Sequence, residues 1–154
     1  MKKLTYFIHD GKGNYEPFYE YTIPQVGLDE FYARQLCTYF IVKGSQYELI
    51  SNEMDGDEEI LVLEDRGRNH SVLDEKNYRG LGIHVEFRRY QERENYKLLT
   101  AVPCSTHLDV IRYLLKDVTE IPGFGQMAVT STEIDEDRGV YVVYVKNLDE
   151  PNME

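Results

Sequence analysis

"LDVIRYLLKDVTEIPGFGQMAVTSTEIDEDRGVYVVYV", residues 108–145, lies without a gap over "LDEFYARQLCTYFIVKGSQYELISNEMDGDEEILVLED", residues 28–65. Nine of the 38 positions are identical, among them Leu28/Leu108, Asp29/Asp109, Ile41/Ile121, Glu53/Glu133 and Val62/Val142, where ordinary composition gives roughly two or three. Apolar positions stay in phase between the identities, as at Leu49/Val129, Met54/Ile134 and Leu63/Val143. A repeat of this length takes precedence over any single motif. It implies an internal duplication within one domain, residues 1–154. The first half covers about 1–65, a polar linker 66–80, the second half about 81–147, and a short acidic tail 148–154.

Each half carries the same coarse pattern. "KKLTYFIHD" and "EPFYEYTI" flank the two-glycine turn "DGKGN" and predict a hairpin, answered by "LGIHVEFRRYQ" and "NYKLLTAV". Pro24 and Pro103 are expected to stop the second strand of each pair. Apolar residues at helical spacing follow, Leu28, Phe31, Tyr32 and Leu36 in one half and Leu108, Ile111, Leu115 and Val118 in the other. Asp29 and Asp109 stand in the first turn, where a carboxylate suits the positive end of the helix. "CTYFIV" (37–42) has strand propensity, but its counterpart "DVTEIP" does not, so both read as helix ends. A second hairpin closes each half. The expectation is an α+β fold, ββαββ twice, with two helices on an antiparallel sheet and a pseudo-twofold axis. The continuous runs "ILVL" (60–63) and "VYVVYV" (140–145) demand cover on both faces. The other half, a ligand or a second copy in a homodimer would supply it, the homodimer being the commonest device.

A formal net charge of −11, from 28 acidic and 17 basic residues, argues against nucleic acid and anionic membrane surfaces as partners. The arginines at Arg66, Arg68, Arg79, Arg88, Arg89 and Arg93 read as solvated faces. No apolar run approaches the length of a membrane span, and the first one stops at Ile8, too short for a signal peptide. Two cysteines are too few for a disulfide framework. A cytoplasmic location is expected.

Among chemical motifs, Cys104-x-x-His107 advertises most. A thiol at a helix entry gains acidity and an imidazole assists it, yet no orienting third group or second metal-spaced pair accompanies them. The segment reads as connector and cap, with Ser105 or Thr106 satisfying the first turn. "EMDGDEE" (53–59) fails the calcium-loop template, because Val62 falls where the bidentate glutamate is required. With its echo at Glu133, Asp135 and Asp137 it reads as an acidic hairpin tip. Neither a metal nor a cofactor is expected. Opposite Ile83, Val85 and Phe87 runs a polar and aromatic row, His84, Glu86, Arg88 and Tyr90.

In topology the repeat resembles the duplicated strand-helix-strand-strand modules of GyrI-like proteins, although each half has an extra leading strand. That resemblance implies small, often cationic or amphipathic molecules bound between the halves. The expected function is non-catalytic: a regulatory or binding domain whose inter-half cleft takes a small organic ligand. Expected liners are Glu86, Tyr90, Tyr141 and Tyr144. The alternative is an acidic protein-interaction module, of inhibitor or immunity type, with a protein partner. An enzyme built on Cys104 comes last.

Overall fold

The computed structural model describes residues 2–23, 25–70 and 74–150. Along the chain run β1 (Lys3–His9), β2 (Tyr15–Thr22), α1 (Leu28–Gln35), β3 (Tyr39–Val42), β4 (Ser45–Asp55) and β5 (Glu58–Arg68). After the linker come β6 (Ile83–Arg89), β7 (Leu98–Cys104), α2 (His107–Leu114), β8 (Val118–Ile121), β9 (Gly125–Asp135) and β10 (Val140–Lys146). The fold is α+β. Ten strands form one sheet in the order β2-β1-β5-β4-β3-β9-β10-β6-β7, and β8 pairs with the early part of β9. Pro24, residues 71–73 of the linker and the end of the acidic tail lie outside the described residues. No helix among those described is long and apolar enough to cross a membrane.

Two expectations need correction. The sheet is mixed, since β1–β5, β6–β10 and β3–β9 pair in parallel. Hairpins announce themselves through a local turn, whereas parallel neighbours are distant in sequence and leave no such mark. The segments read as helix ends are also strands, β3 and β8. In β8 Thr119 and Ile121 are buried while Val118 and Glu120 are exposed, the alternation of a half-buried strand. Each helix therefore stops at Gln35 or Leu114. Pro103 lies inside β7 and does not end it, which an edge strand tolerates because its outward N–H has no partner to lose.

The "EMDGDEE" segment is two strand ends around Gly56 and Asp57, with Asp55 paired to Glu58. Gly56 has φ of +58°, the left-handed geometry that a two-residue hairpin turn requires.

Side chains alternate across the sheet. On the helix side, Val85, Phe87, Ile134, Tyr141, Val143 and Val145 join Phe31, Val110 and Leu114 in the main core. On the far side, Val140 and Val142 are covered by Tyr78 from the linker, and the Tyr78 N–H donates to the Arg138 carbonyl at 2.8 Å. At Val140 and Val142 the second face of "VYVVYV", which argued for another copy of the chain, is thus covered from within.

Candidate functional site

Two members of the polar row, Glu86 and Arg88, do not face water, whereas Tyr90 is exposed. Glu86 and Arg88 are 0% and 2% exposed and belong to a charge network beneath the linker. The Arg138 guanidinium donates to both Glu86 carboxylate oxygens at 2.9 Å, and Arg88 Nε donates to Oε1 at the same distance. Arg138 Nε reaches Asp135 Oδ2 at 3.0 Å. Arg88 Nη1 donates to Asp74 Oδ1 at 2.8 Å and to the Tyr96 carbonyl at 3.0 Å. Burial opposes ionisation of Glu86, but the bonds from Arg138 and Arg88 outweigh it and hold the carboxyl below the usual glutamate value. A buried acid with two arginine partners is structural. Glu86, expected to touch ligand, instead forms the floor.

Above this floor, on the face away from the helices, opens a cleft of about 560 Å³ between strands of the two halves, a size suited to a small organic molecule. Tyr39, Tyr90, Tyr96 and Tyr144 line it. The rings of Tyr90, Tyr96 and Tyr144 lie 5.7–6.2 Å from one another. Tyr39 is the register neighbour of Glu133 across the β3–β9 junction.

Glu133 is the singular group here. It is 5% exposed, lines the cleft, and accepts a hydrogen bond from the Tyr144 hydroxyl at 3.3 Å. Among the described residues, no cation lies within ion-pair distance of it. Burial, with the negative charge of Asp135 adding to it, pushes its pKa up to about 8. Burial likewise raises Asp135, although Arg138 opposes the shift. Glu133 therefore holds a proton at neutral pH, a desolvated acid facing aromatic rings.

Of the four expected liners, Tyr90 and Tyr144 line the cleft, and Glu86 lies under it. Tyr141 is on the opposite face, 4% exposed in the helix-side core, with the His107 ring edge-on at 5.7 Å. Sequence reading missed Glu133 by assigning it to a turn. Its signal was Ile134, an apolar residue between two acids, as expected where a strand continues with one acid-bearing face.

Cys104 and His107 do not form a pair. Cys104 closes β7, its thiol 4.0 Å from the Val102 carbonyl and pushed up in pKa by burial and by Asp109. The His107 Nε2 lies 3.7 Å from Glu30. Thr106 occupies the N-cap position without a side-chain cap bond. The Asp109 carboxylate instead accepts the Ser105 N–H at 3.2 Å.

Comparison with known proteins returns no match to a family model, to a curated protein or to a solved structure.

Proposed function

We propose that this chain is a cytoplasmic, non-catalytic binding domain that takes a small organic cation into the cleft between two duplicated halves. The observation carrying the proposal is Glu133, a buried carboxyl among four tyrosines with no ion pair among the described residues. A positive ligand supplies the missing charge, and tyrosine faces attract it further through their quadrupoles. Both cysteines are free thiols, in keeping with a reducing compartment.

Strand pairing supports the duplication. β1 pairs antiparallel with β2 and parallel with β5, and β6 pairs likewise with β7 and β10. The β1–β2 register shifts between Tyr6 and Phe7, and the β6–β7 register between Phe87 and Arg88, 81 positions later. The equivalence is not uniform along the chain. Tyr6 faces Leu61 as Phe87 faces Val143, so Leu61 answers Val143, two residues off the ungapped alignment, because the β9–β10 turn is longer.

The test is calorimetric titration with (4-phenylbutyl)trimethylammonium at pH 7. Binding with release of a proton, seen as a dependence of the enthalpy on buffer ionisation, is the expected result. Glu133→Gln is expected to lower affinity about tenfold or more and to abolish proton release. Absence of binding, or equal binding by the variant, defeats the proposal.

A further inference from the structure

The cleft contains a second group without a partner. Arg88 lines it and is 2% exposed, yet among the described residues its Nη2 has no hydrogen-bond partner, while Nε and Nη1 are engaged with Glu86, Asp74 and the Tyr96 carbonyl. A buried guanidinium N–H left unpaired is costly. We infer that the ligand presents an uncharged oxygen acceptor, a carbonyl of ester or amide type, to Arg88 as well as a positive charge to Glu133. This rests on the reading of the cleft as a cation site and adds to it what the rest of the ligand must be.

Charge counting selects a neutral acceptor over a carboxylate. Around Arg88 and Arg138 stand Glu86, Asp74, Asp135 and Glu75, all within ion-pair distance of one arginine or the other. Four carboxylates to two guanidiniums leave the surroundings of Nη2 with no net positive charge to offer an anion. A carbonyl accepts the N–H without meeting that repulsion.

Register sets the spacing. Glu133 pairs with Val142 on β10, and Tyr144, two residues along β10, pairs with Arg88 on β6. The two groups are therefore two strand spacings apart, roughly 10 Å between backbones, and displaced by two residues, roughly 7 Å. Tyr144 stands between them on the same face. A ligand meeting both lies across the Tyr144 ring and carries its cation and its carbonyl several bonds apart, which excludes an α-amino acid amide.

The experiment compares three probes on the wild-type protein at pH 7. They are benzoylcholine, (4-phenylbutyl)trimethylammonium as the cation without a carbonyl, and 4-(trimethylammonio)butyrate as the cation with a carboxylate. Benzoylcholine is expected to bind about tenfold more tightly than the phenylbutyl cation, the worth of one charge-assisted hydrogen bond, and the butyrate most weakly. In Arg88→Lys, which keeps the positive charge but lacks the fork, the benzoylcholine advantage is expected to vanish. The wild-type comparison decides even if that variant does not fold. Equal affinity for the first two probes overturns the carbonyl inference and leaves the cation reading standing. Tightest binding of the butyrate overturns it in favour of an anion site. Failure of all three to bind removes both.

Discussion

Glu133 ties the stability of the fold to pH. Its folded pKa of about 8 lies above the unfolded value of 4.5, so between these values the native state holds a proton that the unfolded chain releases. The stabilisation is complete below the unfolded value and is lost as pH rises through the folded one, at roughly 1.4 kcal/mol per pH unit. Glu86, shifted downward, acts in the other direction and only at acid pH: its contribution is present above the ordinary glutamate value and lost as pH falls through its depressed one. Urea unfolding of wild type from pH 5 to 8 is expected to show declining stability, and Glu133→Gln a flatter profile with higher stability at pH 8. An unchanged slope in the variant would mean that Glu133 is already ionised. The sequence pairs this residue with Glu53, and at residue scale that pairing misleads. Beyond Glu48, β4 has β5 on one side only, so Glu53 is exposed, whereas Glu133 is enclosed between β3 and β10. Residue identity carries no information on how many strands flank a position.

Among elements, the linker contributes more than its composition suggests. Tyr78, 3% exposed, seals Val140 and Val142, and Asp74 meets both Arg88 and the Leu98 N–H. Tyr78→Ala is expected to cost about 3 kcal/mol in chemical denaturation, against less than about 0.5 for a solvated linker position. At the β9–β10 turn, Gly139 has φ of +67° and an added Cβ would stand 2.9 Å from Arg79 Cγ. Gly139→Ala is therefore expected to lose more than about 1 kcal/mol. Cys104→Ser is expected to change stability by less than about 1 kcal/mol, because the side chain is only partly buried at the edge of the core and its hydrogen bond to a carbonyl is long. The hairpins and both helices were legible from turn glycines and apolar spacing. The short strands β3 and β8 were not, since four residues are too few for a period to declare itself. The linker's role was hidden for a different reason: its anchoring residues gain partners only once the sheet exists.

At the scale of the molecule, the two halves meet along a short seam and are fastened beside it by side chains. The β3–β9 pairing spans three residue pairs, Tyr39–Glu133 to Ile41–Asp135. Asp137 accepts the Lys43 and Gly44 N–H groups at 2.7 and 2.8 Å. Arg34 reaches Glu136 at 2.6 Å, and the Thr132 hydroxyl donates to the Leu36 carbonyl at 2.8 Å. With so many ties a single cooperative unfolding transition is expected in calorimetry, and two resolved transitions would show the halves to be independent. Tyr141→Lys, which drives a charge into the helix-side core, is expected to cost more than about 3 kcal/mol and to unfold the whole domain.

The nine-strand path through the sheet ends at β2 and β7, and both end strands are interrupted in the same way. Pro17 lies in one and Pro103 in the other, and each bulges by one residue, Phe18 and Leu99, that its neighbour leaves unpaired. A missing N–H and a broken rhythm of hydrogen bonds deny an arriving strand a straight template. Nine of the ten strands form an unbroken path whose natural failure is to continue it into the next molecule. With both ends of that path blunted, an arriving strand finds no straight template at either one while the domain stays folded.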